Sequence, residues 1–206
     1  MIANDVLKFQ LAGSFTMLSE RIAAVSDAEW TERAFPGTNL LGFILWHTPR
    51  TIDWAIHCAI QGLPELATRD GWSGLRARDF LYGAGIPQET ADDVAKSVPR
   101  AEVAKYVNEL RGMVLGWLTS QTDADLERIP ELQAHQRVNP RYLTEPVWAE
   151  VSSLAGRPTW EILARPCISH IRVHIGEIDT LIGAVRAHAG PPRDQGGPTR
   201  SANSNS

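Results

Sequence analysis

The sequence predicts an all-α fold, an antiparallel four-helix bundle with long elaborated connections. Three observations carry that reading. Apolar residues recur at steps of three and four along four long stretches. No stretch alternates apolar and polar residues as a half-buried strand would. No segment repeats, which excludes a solenoid, and four amphipathic helices must bury their stripes against one another.

The first helical stripe is Leu7, Leu11, Phe15, Leu18, Ile22 and Val25. SDAEW at 26–30 then supplies a turn with capping-box spacing from Ser26 to Glu29. Thr38 and Asn39 are good N-cap residues, so a second helix is expected after them. It runs as LLGFILWHTPRTIDWAIHCAIQG to about Gly62. From 63 to 100 periodicity is lost and Gly is frequent; a connection this long carries short helices, a functional lid, or both. The third stripe is Val103, Tyr106, Val107, Leu110, Met113, Val114 and Trp117. Residues 123–146 are irregular and broken by proline. The last helix is expected over Thr159 to Ala187, with Ala164, Cys167, Ile171, His174, Ile178, Leu181 and Val185 at near-heptad steps. Residues 1–188 thus form one domain, and the polar tail 189–206 is expected to be disordered.

Composition narrows the function. The chain has 206 residues, a net charge of −4 and no cluster of Lys or Arg, which argues against binding nucleic acid. No run approaches the length of a membrane span, and the N-terminus lacks the apolar stretch of a signal peptide. Two cysteines, Cys58 and Cys167, make no disulfide framework, so a reducing, cytoplasmic setting is expected. An antiparallel bundle with apolar edges also allows a homodimer.

The candidate chemistry lies in SHIRVHIGEI, residues 169–178. On a helix His170, His174, Glu177 and Leu181 fall in one column within about 40°, flanked by the core positions Ile171 and Ile178. Two histidines at i and i+4 on one inward face can chelate one metal ion. The alternative is a pair of half-buried histidines bonded to backbone carbonyls, and a third inward ligand is the test. His47 of the second helix lies among Phe43, Ile44, Thr51 and Trp54, and it too faces the interior. Three imidazoles with a fourth position open are the ligand set of a catalytic site.

The segments LSER…SDAEW, LLGFILWH and SHIRVHIGEI, in this helix order, resemble the DinB-like superfamily of four-helix-bundle proteins. The resemblance covers most of residues 1–188. It implies a divalent metal held by a histidine of the second helix and two ligands four apart on the last, matched here by His47, His170 and His174. The family's closing H-x-G-E/Q-I is matched by His174, Gly176, Glu177 and Ile178. It also implies a metal-dependent hydrolase or a thiol-dependent enzyme of the mycothiol-dependent maleylpyruvate isomerase or bacillithiol transferase kind. No substrate motif of a family member is recognised in the 63–100 connection.

Two chemistries suit the ligand set: hydrolysis, or transfer or isomerisation of a small electrophile by a metal-activated low-molecular-weight thiol. Imidazoles suit Zn, Ni or Fe, with Zn or Ni the expected ion. A non-catalytic metal-binding bundle is the alternative of a different class. Glu177 and Arg50 are the catalytic candidates. Glu177 either orients a ligand ring, acts as acid or base, or pairs with an arginine. Arg50 either clamps an anionic substrate or is a solvated helix arginine. Asp53 points away from His47 and could support a histidine of a neighbouring helix. Pro49 and Pro166 should each bend their helix and open a pocket mouth between them. Cys167 is either a fourth ligand that closes the site or a small buried hydrophobe. Trp46, Trp54, Trp72 and Trp148 are pocket or core candidates. His57, His135 and His188 show no partner geometry.

Overall fold

The computed structural model describes residues 3–188, so the expectation of a disordered tail at 189–206 lies outside the described residues. Among these residues the chain is all-helical. Four long helical stretches occur where the stripes place them. The first, Ala3–Ala24, buries Leu11, Phe15, Leu18 and Ile22, with Val25 just beyond. The second is Leu41–Asp53 continued by a π-helical segment, Trp54–Ile60. The third, Arg100–Thr119, buries Val103, Tyr106, Val107, Leu110 and Val114. The fourth runs Thr159–Ala164, then a π-helical Arg165–Ser169, then His170–His188. The first helix packs against the third and fourth, and the second against the third and fourth.

The Ser26–Glu29 capping box forms reciprocally and starts a one-turn helix, Asp27–Trp30. The expected cap at Thr38–Asn39 does not form. Helix two begins at Leu41 with Leu40 as an N-cap that lends no side chain. Thr38 instead closes its own turn, its hydroxyl donating to the Phe35 carbonyl, while its carbonyl accepts from Arg33 and Gln88.

Both prolines lie in or near altered helix geometry. Pro49 has no N–H for the Leu45 carbonyl, and Thr48 and Thr51 bond back to the carbonyls of Ile44 and His47. Five residues after Pro49 the helix widens into the π segment, and Pro166 sits inside the other π segment. Such bulges are frequent at functional sites. The fourth helix is not broken into two, because helical turns continue on both sides of Pro166.

The 63–100 connection is folded. It contains single turns at Leu66–Thr68, Ser73–Leu75 and Ala77–Phe80 and a helix, Gln88–Ser97, that packs on helix two. The 123–146 stretch is likewise a chain of short turns, opened by a second capping box between Thr122 and Asp125. No described helix is long and apolar enough to cross a membrane.

Candidate metal centre

Helices two and four present their histidines to one point. One ring nitrogen from each of His47, His170 and His174 lies within 4.8 Å of the other two. The rings meet edge to face, with centroids 4.5–5.6 Å apart. His47 Nδ1 stands 2.5 Å from the Tyr82 carbonyl. A carbonyl only accepts, so Nδ1 carries the proton and Nε2 keeps its lone pair. That Nε2 faces His170 Nε2 at 3.4 Å. His174 Nδ1 donates to Glu177 Oε2 at 2.7 Å, which frees its Nε2 in the same way. Holding the outer nitrogen of a ligand imidazole to a carbonyl or carboxylate is how metal sites fix tautomer and ring angle.

The donor set fits an ion. Two nitrogens each about 2.0–2.1 Å from a tetrahedral metal stand roughly 3.3–3.4 Å apart, the spacing found between His47 and His170. Burial, the neighbouring imidazole of His174 and that of His170 push His47 down to about 3, against the pull of the Tyr82 carbonyl. Burial, then His174, push His170 down to about 4. Both are neutral near pH 7, as ligands must be. Cys167 is no part of this cluster: it is buried in the core, where burial pushes its thiol up and disfavours thiolate.

A pocket of about 370 Å³ opens beside the histidines. Its wall includes His47, His170, Trp54, Tyr82, Glu150 and Arg165, with Pro166 and Ser169 of the π segment. The widened turn therefore lies at the pocket, where the sequence placed a bend. Gly83, at φ +89°, lets the backbone after Tyr82 press on helix two; a Cβ there would meet Trp46 at 2.9 Å and Phe43 at 3.1 Å. That close approach carries the Tyr82 carbonyl to His47. Trp46 belongs to the core, where its Nε1 donates to the Leu75 carbonyl, and Trp72 packs on Tyr106.

Arg50 requires a correction. It does not line the pocket and is not solvated. Its guanidinium is fully buried, bonded to Asp53 at 2.9 Å, to Glu65, to the Tyr106 hydroxyl and to the Leu81 carbonyl at 3.1 Å. Asp53 accepts in turn from His57, Tyr106 and the backbone N–H groups of Leu66 and Ala67. Burial would raise the Asp53 carboxyl, yet the bonds from His57, Arg50 and Tyr106 hold it below the usual range. Burial does raise Glu65, offset in part by Arg50; Tyr142 donates to its other oxygen. This network ties the 63–82 connection to helix two, one peptide away from the carbonyl that orients His47. The support that Asp53 was expected to give a histidine of another helix goes instead to His57 of its own helix, at i+4. His57 is therefore not incidental. His135 Nδ1 donates to the Ala59 carbonyl at 3.0 Å, and His188 packs edge-on against Phe35.

The sequence profile of the DinB superfamily matches residues 10–178. The chain belongs to the DinB superfamily. This DinB-superfamily protein has three close histidines, His47, His170 and His174, that could hold a metal ion. No curated protein matches the chain. Trp54, a pocket or core candidate from the sequence, lines the pocket, while Glu150 and Tyr82 line it without having been singled out by the sequence.

Proposed function

We propose that this chain is a divalent-metal-dependent enzyme, cytoplasmic, whose four long helices form an antiparallel four-helix bundle. Its reaction is a thiol-dependent transfer or isomerisation on a small electrophile, and Zn or Ni is its ion. The observation that carries the reading is that three imidazoles converge beside a pocket large enough for a small organic molecule, with His47 and His170 on its wall. A divalent ion held by His47, His170 and His174 supplies Lewis acidity, lowering the pKa of a thiol or water that reaches it.

The chain's own residues do the rest. The Tyr82 carbonyl holds the His47 ring by Nδ1, and Glu177 holds His174 by Nδ1, so both Nε2 lone pairs stay aimed inward. In this reading Glu177 is a positioning residue. Trp54, Val151 and Leu154 supply apolar wall that displaces water from the pocket. Glu150, on the same wall, has its carboxyl raised by burial, the direction that favours a carboxyl holding a proton for acid-base work.

Thermal unfolding with and without metal, across a panel of low-molecular-weight thiols, tests the reading. Stabilisation by a thiol only in the metal-loaded protein supports it through binding linkage. No thiol response, together with an ester or amide cleavage rate rising through an apparent pKa near 7, would assign hydrolysis instead.

A further inference from the structure

Two successive peptide carbonyls, those of Leu81 and Tyr82, turn toward helix two, and two side chains of that helix take them. Arg50 Nη2 donates to the Leu81 carbonyl at 3.1 Å, and His47 Nδ1 donates to the Tyr82 carbonyl at 2.5 Å. The peptide between Leu81 and Tyr82 is planar, so only the two backbone dihedrals of Tyr82 separate one carbonyl from the other. A hold on the first is therefore felt at the second.

This turn does not hold itself. Leu81 stands at φ +54°, ψ −127°, a conformation that a bulky residue keeps only where its surroundings impose it. Gly83 follows at φ +89°, close against Trp46 and Phe43. Leu81 is buried, and its carbonyl is bonded to a guanidinium that is itself immobile. Arg50 is fully buried, with Nη1 bonded to Asp53 and the Tyr106 hydroxyl and Nη2 to Glu65 as well as Leu81. A planar fork fixed at several points sets the direction of each remaining N–H. Pairing with two carboxylates would satisfy the charge alone; the bond to Leu81 is the contact that leads from this network to the three histidines.

We propose that Arg50 is a positioning residue for His47. Through the turn at Leu81, Tyr82 and Gly83 it fixes the tautomer and angle of that imidazole, and with them the affinity of the site for a divalent metal ion. The effect on affinity rests on the reading of His47 as a ligand; the effect on the tautomer does not.

Long-range proton–nitrogen NMR of the full metal-free chain, above the titration range of imidazole, reads which His47 nitrogen carries the proton. Competition with a chelating dye reads Zn affinity. Arg50→Lys keeps the charge between Asp53 and Glu65 but gives up the fork that also spans to Leu81. Tyr106→Phe strips a hydroxyl from the same guanidinium and leaves the Leu81 bond. Arg50→Lys should convert His47 from a single Nδ1–H form to a mixture and weaken Zn binding about tenfold. Tyr106→Phe should keep the parent's tautomer and Zn affinity. A second pair leaves Arg50 in place and decides the matter even where Arg50→Lys does not fold. Gly83→Ala must lift the turn off Trp46, whereas Gly71→Ala, at φ +94° with nothing within 4 Å, strains the same connection elsewhere. Gly83→Ala alone should mix the His47 tautomers, and because coupling is reciprocal it should also free the Arg50 guanidinium, seen as averaging of its separate N–H signals. A pure Nδ1–H His47 in Arg50→Lys or Gly83→Ala would overturn the proposal. So would equal shifts in Tyr106→Phe or Gly71→Ala, an Arg50 signal unmoved in Gly83→Ala, or Zn affinity that survives Arg50→Lys. A parent that binds no Zn while its tautomer responds as described would sink the metal reading alone.

Discussion

Arg50→Met keeps most of the side chain's length and deletes its charge. In the fold this strands Glu65 and Asp53, both buried, with one cation fewer between them. Breaking a buried pair by removing one partner costs about 3–5 kcal/mol, because the remaining charge cannot reach water. A surface arginine would cost well under about 1 kcal/mol. The two situations are therefore separable by urea unfolding, and in a chain of this size the larger figure is a fall of roughly 6–20 °C in midpoint. Glu65→Gln in the Arg50→Met background removes the stranded carboxylate. It should recover part of the loss, giving a coupling of about 2 kcal/mol in a double-mutant cycle. A single-variant loss below about 1 kcal/mol, or strictly additive variants, would refute the buried network.

Glu177→Gln keeps an acceptor oxygen for His174 Nδ1 but loses its charge, so metal affinity should fall about tenfold or more with little change in unfolding midpoint; competition with a chelating dye reads it, and unchanged affinity would return Glu177 to a surface role. Stability of the metal-free protein should fall with acid. His47 and His170 are held at about 3 and 4 in the fold against about 6.5 when unfolded, so the unfolded chain binds more protons between those values. The loss begins as pH drops through about 6.5 and continues to about 4 for His170 and about 3 for His47, some 2–4 kcal/mol between pH 7 and 5, the lower figure allowing for the partial exposure of His170. Urea midpoints at pH 7, 6 and 5 measure it; a flat profile would contradict a neutral His47 and His170.

The three histidines were legible because a helix converts spacing into direction. His170 and His174 share a face by being four apart, and His47 lies on the same side as Phe43 and Thr51, the last of which the pocket also contains. Arg50 was not legible in the same way. Arginine is rarely buried, and what makes Arg50 stable here is Glu65, fifteen residues on, and beyond it Tyr142, a further seventy-seven. Those partners come from stretches without periodicity, where sequence spacing says nothing of direction. The i, i+3 and i, i+4 spacings of Arg50, Asp53 and His57 were the available signal, and they do form pairs. The helix start at Leu41 was missed by one or two residues because packing, and not a side-chain cap, sets it. Tyr82 reaches the pocket from a turn beside Gly83, and Glu150 from the short helix Val147–Val151, against whose preceding Pro146 a Cβ on Gly85 would lie at 2.5 Å.

Metal content by elemental mass spectrometry, on tag-free protein beside its His174→Ala variant, tests the three-histidine site most directly. About one equivalent of a divalent metal per chain in the parent and almost none in the variant is the expected result. No metal in either after incubation with Zn or Ni, or equal loading of both, would contradict it and leave His47, His170 and His174 as three interior histidines.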